Sequence, residues 1–376
     1  MFVMLQRIEN QLRRGENVDK YMIKDFEFSQ KFKNTIHTKP PDIRGQNSLL
    51  GKARRFPRII ITGMQKCGTG ALKDAMTRSP YLAWSSQGET HFFDRANNYN
   101  QGYQAYLDMQ PEVSPEVIVF DKTPSLMTDS TIPARVKAYD PDVKIISILC
   151  EPTHRTLSHY LHAKAMMTKQ EMEDQNRHFN QARKSLYNSD NFEEVIESAI
   201  DEIFAQDEFV RNAVLDMKNE FRAHQATRAA FYRYVANPAN FEQMQKLPVQ
   251  LIQRGLYGYY LNQWYDLFPK ENILILSSAD MSRKPAQTLA TVQEFLGVPK
   301  AVDPRNFFWN NETGHYCVMG PEDDEPHCGN AKNKNRSSNF EINPRTKIIL
   351  NRIYQSVYQD LVDLVGNQLF SEWGYN

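Results

Sequence analysis

Two kinds of apolar run alternate along this chain. Short β-branched stretches bounded by polar or turn residues occur at RIIITG (Arg58–Gly63), VIVFDKTP (from Val117), VKIISILCEP (from Val143) and ENILILSSADM (from Glu271). Each is too short for a buried helix and carries residue types that pack on a pleated surface, so each predicts a strand. Between them, apolar positions recur at helical spacing over 71–78, about 153–167, and RKPAQTLATVQEFLG (Arg283–Gly297). Apolar strands separated by helices predict a parallel sheet covered on both faces. The expected fold is α/β, a single P-loop-like domain over 57–376 with a central parallel sheet flanked by helices. Ligands of such sheets lie at the carboxyl ends of the strands, where the first strand runs into a glycine-containing loop at 63–70.

The pattern breaks in two places. Residues 1–56 are polar, charged and interrupted by KPPDIRGQNS, which predicts an arm or stem outside the core. From about 167 to 253 the strand signal disappears. NFEEVIESAIDEIFAQDEFVRNAVLDMKNEFRAH has apolar residues at helical spacing with charges between them, which predicts two or three helices inserted into the α/β core.

Composition narrows the function classes. At 376 residues the chain can bury a core for one elaborated domain or two smaller ones. Lys+Arg and Asp+Glu both number 45, so no overall basic charge points to nucleic acid, and any basic site must be local. No apolar run is long enough to span a bilayer, and MFVMLQRIENQLRRGENVDK lacks the sustained apolar core of a signal peptide. Membrane attachment is expected only through an anchor upstream of this sequence. Four cysteines are few for a disulfide scaffold. Cys317 and Cys328 flank a short polar loop, either as a disulfide or as two free thiols. His315 and His327 lie nearby, but without a paired C-x-x-C a zinc site is not expected.

The loop GMQKCGTGAL (Gly63–Leu72) carries the chemistry. A strand, then G-x-x-x-x-G-T, then a helix presents backbone N–H groups and a helix N-terminus to an anion. A nucleoside triphosphatase places its lysine directly after the second glycine. Here Thr69 takes that position, and Lys66 stands two residues before Gly68. From there Lys66 can reach a bridging or leaving-group oxygen; the plain alternative is a glycine turn with a solvent lysine.

This arrangement resembles the 5′-phosphosulfate loop of sulfotransferases that use 3′-phosphoadenosine 5′-phosphosulfate (PAPS). GETHFFD (Gly88–Asp94) is similar to a segment of the heparan sulfate glucosaminyl 3-O-sulfotransferases. FDKTPSLMTD (Phe120–Asp129) resembles their Glu-Lys-Thr-Pro segment, with Asp121 for the glutamate. EPTHRTLSHY (Glu151–Tyr160), GLYGYYLNQWYDLFPKENILIL and FFWNNETGHYCVM…HCGNAKNKNR continue the likeness in order through about residue 340.

The resemblance implies transfer of a sulfuryl group from PAPS to a hydroxyl of a heparan sulfate-like or other acidic glycan, without a required metal. It implies Glu89 as general base, Lys66 and Lys122 as cations at the transferring group, and His91 and Asp94 as orienting residues. Such chemistry needs a base within reach of the acceptor and charge stabilisation at the leaving oxygen. For PAPS it implies the backbone of Lys66, Cys67, Gly68, Thr69, Gly70 and Ala71 at the 5′-phosphate, and Ser158 at the 3′-phosphate. Tyr316 and the basic loop Lys332, Lys334 and Arg336 complete the nucleotide site. It further implies a Cys317–Cys328 disulfide and a Golgi-lumen setting, in which Asn311-Glu312-Thr313 and Asn335-Arg336-Ser337 are glycosylation sequons. Taken singly, Glu89 reads as a surface carboxylate, His91 as a core histidine and KNKNR as a solvated loop. Phe92, Phe93 and Trp264 are expected in the core.

Two positions depart from the family pattern. Cys150 stands where an arginine binds the 3′-phosphate, a loss expected to weaken PAPS binding by about 1.5–3 kcal/mol unless Arg155 or His154 compensates. Gly70 stands where the 3-O branch tends to carry an arginine facing its acidic substrate. Rival readings are an N-sulfotransferase, a sulfotransferase of another glycan, and a relative that binds without turnover. A nucleotide kinase is disfavoured by the position of Lys66.

Overall fold

The computed structural model describes residues 40–173, 191–217, 223–321, 323–328 and 340–375. Lys332, Lys334 and Arg336 lie outside the described residues, as does the Asn335 sequon.

Nine strands occur among the described residues. Five form the central sheet: β2 (Ile59–Gly63), β3 (Leu82–Trp84), β5 (Ile118–Lys122), β6 (Lys144–Leu149) and β7 (Ile273–Ser277), in the order β3-β5-β2-β6-β7. Every pairing within it is parallel. Successive strand residues face opposite ways, and the core follows that alternation. Ile60, Ile145 and Leu149 pack into one apolar cluster, and Ile59, Ile61, Ile146 and Ile148 into the other. Burying each such side chain stabilises the fold by about 1.5–3 kcal/mol, which is why the strands read as continuous apolar runs.

β3 was not expected from the sequence. Leu-Ala-Trp is too short to show a period, and it is a strand because it pairs with β5 at Leu82↔Ile118 and Trp84↔Phe120.

β2 lies between β5 and β6, so the chain crosses from one side of β2 to the other between those two strands. This reversal opens a crevice beyond the carboxyl ends of β2, β5 and β6, the usual place for a ligand in an open parallel sheet. α1 (Thr69–Met76) follows β2, α2 (Pro152–Glu173) follows β6, and α3 (Phe192–Ile203) begins the region expected as a helical insertion. The α3 face is regular: Phe192, Val195, Ile196, Ala199, Ile200 and Ile203 are buried, and Asn191 caps its start by accepting from the Glu193 N–H. Helices α4 (Glu208–Leu215), α5 (His224–Ala236) and α6 (Leu247–Gln253) continue the region. α7 (Tyr257–Tyr265) and the C-terminal helix α8 (Pro344–Val365) pack together beside it.

The expected boundary at residue 56 needs correction. Ile43 and Phe56 are buried in the main core, and β1 (Ala53–Arg54) pairs with β4 (Glu112–Val113). Buried Arg55 donates to the carbonyls of Asn47, Leu49, Gly51 and Val113, closing this segment onto the domain. Side-chain bonds from Asn47 and Arg55 to backbone carbonyls hold residues 47–56, and apolar periodicity does not record them.

Among the described residues no helix is long and apolar enough to cross a membrane.

Candidate functional site

The loop after β2 turns sharply into α1. Lys66 (φ 75°) and Gly68 (φ 94°) both occupy the left-handed region, and Gly68 is the N-cap of α1. Glycine adopts that conformation freely, whereas a lysine needs its surroundings to hold it there. The Met64 N–H donates to the Ile148 carbonyl of β6 at 2.7 Å, and the Cys67 N–H to the Met64 carbonyl at 3.0 Å. Thr69 is buried in the first turn of α1, whereas Gly70 is exposed, and a Cβ added there would meet nothing within 4 Å. The N-terminus of α1 thus opens towards the crevice, an anion-binding geometry.

Cys67 and Cys150 form a disulfide with Cα atoms 5.1 Å apart. This corrects the reading of Cys150 as simply a missing cation. β2 and β6 are neighbours, so the loop leaving one passes over the end of the other; 83 residues of separation conceal this in the sequence. The second disulfide, Cys317–Cys328, is present as the resemblance implied.

A chain of polar groups lies beyond β5. Lys122 ends that strand, with its ammonium bonded to Glu89 Oε1 and 5.5 Å from the Trp84 ring centroid. Glu89 Oε2 is 3.8 Å from His91 Nε2, and His91 Nδ1 is 2.9 Å from Asp94 Oδ2. Ser125 Oγ donates to the same Asp94 oxygen at 2.5 Å. Burial alone would raise the Asp94 carboxyl, but hydrogen bonds from His91 and Ser125 outweigh it and hold the group below its ordinary range. An anionic Asp94 fixes a proton on His91 Nδ1 and orients the ring towards Glu89. Glu89 itself is 38% exposed along its side chain, open enough to meet a ligand.

Asp121 lies behind this chain and is fully buried. It accepts from Thr90 (2.6 Å), Thr123 (2.9 Å) and Tyr106 (3.0 Å). Burial raises its pKa against those three donors. Through Thr90, Asp121 anchors the strand-end segment that carries Glu89 and His91.

Two arginines lie around His159 on the α2 side. Arg155 on α2 is wholly buried; it donates to the Leu251 carbonyl, to Thr156 Oγ1 (3.1 Å) and towards His159 Nδ1 (3.4 Å). Arg254, just after α6, donates to Gln65 Oε1 of the loop. Among the described residues neither guanidinium forms an ion pair, and the Nε of each is buried without a partner. Burial, with Arg155 next in weight, brings Arg254 down to about 10. Burial also pushes His159 well below its usual value, helped by the charges of Arg254, Arg155, His162 and Lys66, so the ring is neutral.

The expected site residues therefore separate. Lys66, Cys67, Gly68, Thr69, Gly70 and Ala71 form the loop and the first turn of α1; Glu89, His91, Asp94 and Lys122 form one connected group. Ser158 is half-buried on α2, between Arg155 and His162 in helical spacing. Tyr316 lies on the outer hairpin of β8 (Phe307–Asn310) and β9 (His315–Val318), its ring 5.2 Å from that of Trp309. Phe92, Phe93 and Trp264 are core residues, as expected. Sequence reasoning missed Ser125, Trp84, Gln65, His159 and Arg254. Ser125 follows the Lys-Thr-Pro stretch directly, the one local signal among them.

Known proteins resemble this chain. A family model described as "Sulfotransferase domain" matches residues 56–318. Human heparan sulfate glucosamine 3-O-sulfotransferase 5 is 24% identical over 265 residues, 70% of this chain and 60% of that protein. Human heparan sulfate glucosamine 3-O-sulfotransferase 6 is 25% identical over 307 residues, 81% of this chain and 70% of that protein. A sulfotransferase from Alicyclobacillus acidocaldarius is 19% identical, with a TM-score of 0.48 and coverage of 85% of this chain and 98% of that one.

Proposed function

The chain belongs to the sulfotransferase-domain family, and from that premise we propose that it transfers a sulfuryl group from PAPS to a hydroxyl of an acidic glycan resembling heparan sulfate. What supports the reading is that the loop containing Lys66 and the Glu89–Lys122 pair lie at the carboxyl ends of the paired strands β2 and β5. PAPS supplies an activated sulfuryl group. The loop backbone from Lys66 to Ala71 holds its 5′-phosphate, and Ser158 meets its 3′-phosphate. Arg254, half-buried beside the loop and without a carboxylate partner among the described residues, fits a polyanionic ligand.

Glu89 takes the proton of the acceptor hydroxyl as that oxygen attacks sulfur. His91, fixed by Asp94 and Ser125, orients the Glu89 carboxylate. Lys122 stabilises the equatorial oxygens of the transferring group, and Lys66 the charge left on the departing phosphate oxygen. A Golgi-lumen setting belongs to the same reading, and the two disulfides suit an oxidising compartment.

The test is to incubate the chain with labelled PAPS and a panel of desulfated glycosaminoglycans. Label transfer to a heparan-type acceptor is expected. Absence of PAPS binding by calorimetry overturns the assignment; binding with no transfer to any acceptor makes the chain a non-catalytic relative.

A further inference from the structure

We propose that Cys67 and Cys150 are positioning residues, whose disulfide holds the phosphate loop in its ligand-binding shape and makes that shape depend on thiol chemistry. The inference rests on the sulfotransferase reading only for the identity of the ligand.

Three observations place the bridge where it controls the loop. Cys67 lies between Lys66 and Gly68, the two loop residues with left-handed backbone. Cys150 directly follows the last residue of β6, so the bridge ties the loop to the end of a central strand. The sulfurs also touch the loop's own frame: Cys150 Sγ lies 3.9 Å from the Lys66 carbonyl oxygen, and Cys67 Sγ lies 3.7 Å from the Tyr257 hydroxyl. That hydroxyl donates to the Cys150 carbonyl at 2.9 Å, so α7 buttresses both ends of the bridge.

The left-handed Lys66 is the physical reason a tie is needed. A residue with a Cβ persists in that conformation only when the surroundings over-determine it. Without the bridge, the loop keeps the Met64 N–H bond to Ile148, the Cys67 N–H bond to Met64 and the Arg254 bond to Gln65, none of which joins the backbone of 66–68 to β6. Residues 66–68 are then held less firmly away from ordinary backbone angles, and a phosphate must reorder them on binding, which lowers affinity.

Opening the bridge is a two-electron exchange. A thiolate of a dithiol attacks the part-buried Cys150 sulfur, and Cys67 leaves as thiolate and takes a proton. The second thiol of the reagent then attacks the mixed disulfide, releasing Cys150 as a thiol and closing the reagent's own disulfide. The dithiol is oxidised, and Cys67 and Cys150 are reduced.

The experiment uses the full chain carrying Cys317→Ser and Cys328→Ser, so that the loop bridge is the remaining disulfide. Binding of adenosine 3′,5′-bisphosphate is measured by calorimetry, and hydrogen exchange of amides 64–70 by mass spectrometry, with and without a dithiol. The expected result is a loss of affinity of roughly tenfold or more, with faster exchange confined to 64–70 and recovery on reoxidation. The same chain carrying Cys67→Ser and Cys150→Ser as well should bind at the reduced level and ignore the dithiol. Unchanged affinity and exchange on reduction overturn the proposal, as does a dithiol response that survives in Cys67→Ser/Cys150→Ser. If the oxidised chain binds no bisphosphate yet amides 64–70 still respond, the positioning role stands and the sulfotransferase reading falls.

Discussion

The two walls of the crevice handle charge in opposite ways. On the β5 side each charge meets a complementary group: Lys122 meets Glu89, Glu89 faces His91, and His91 bonds Asp94. On the α2 side Arg155 and Arg254 meet one carbonyl, a hydroxyl, a histidine ring and an amide, and no carboxylate among the described residues. A paired network keeps its geometry with or without a ligand, which suits groups that must be oriented for proton transfer. An unpaired cationic wall bears a standing desolvation cost, which an incoming anion relieves. On the proposed function, the first wall orients the reacting groups and the second meets negative charge.

The most severe way to break this division is Glu89→Gln. The amide keeps the size of the side chain and a carbonyl near Lys122 but cannot accept the acceptor's proton. Turnover should fall by about 10²–10⁴-fold, while affinity for adenosine 3′,5′-bisphosphate stays within about twofold of the parent chain, since the β5 wall is not assigned to binding. Steady-state kinetics beside calorimetry separates the two. Equal loss of turnover and affinity would dissolve the comparison.

The next test acts on the opposite wall. Arg254→Met removes a guanidinium and keeps a flexible apolar stem. If the cation is held for a ligand, affinity for an anionic partner should drop by about 1.5–3 kcal/mol, the worth of a charge-assisted bond. The folded chain should lose little stability or gain some, because a buried charge without a counter-ion has gone. A melting temperature lowered together with unchanged ligand affinity would make Arg254 a structural residue, packing α6 against the loop.

The two walls also differ in how much of them could be read from the sequence. Glu89, His91, Asp94 and Lys122 lie in two short segments, and the strand carrying Lys122 announces itself by its β-branched run. The loop was legible too, since glycine spacing between a strand and a helix is a local property. The cationic side was less so, since Arg155 stood out only as a substitute for the arginine missing at Cys150 and Arg254 did not stand out at all. Arg254 reaches Gln65 across 189 residues, and Arg155 meets Leu251 across 96. No local period distinguishes these arginines from surface ones. The disulfides repeat the lesson: Cys317 and Cys328, 11 apart, drew attention by proximity, whereas Cys67 and Cys150 meet only because β2 and β6 are adjacent. The fold was readable where apolar pattern determines structure. The three-residue strand β3 and the hydrogen-bonded segment 47–56 were hidden because pairing and polar contacts form them.

Within the paired wall, Asp94 and Asp121 offer a finer division. Hydrogen bonds lower the Asp94 pKa in the folded chain, so its stabilising contribution is present above the ordinary value of 3.8 and is lost as pH falls through the lowered one. Asp121 is raised, with burial the largest cause, so its contribution runs the other way, present in acid and lost as pH rises through the raised value. Asp94→Asn should therefore cost about 1.5–3 kcal/mol near neutral pH, the worth of one hydrogen bond to a charged group. Urea unfolding should show that gap closing as the solution is acidified below the carboxylate range. A gap that persists in acid would mean that packing, rather than the charge of Asp94, holds the His91–Ser125 arrangement.

The smallest expected effect concerns the rim between the walls. Gly70 is the second residue of α1, and a Cβ built there meets nothing within 4 Å. Gly70→Arg should therefore fold normally. The helix gains up to about 0.8 kcal/mol on replacing glycine, and a cation in the first turn loses about 0.3–1 kcal/mol against the helix dipole. The two nearly cancel, so melting should be almost unchanged. The added guanidinium extends the cationic wall to the mouth of the crevice, where solvent and salt screen it. Affinity for a sulfated glycan should rise by a few-fold at low ionic strength and return to the parent value as salt shortens the screening length to about 8 Å. Turnover on a bound acceptor should not change, because the Glu89–Lys122 pair is untouched. A gain that persisted at high salt would instead place residue 70 inside the acceptor site and in direct contact with the glycan.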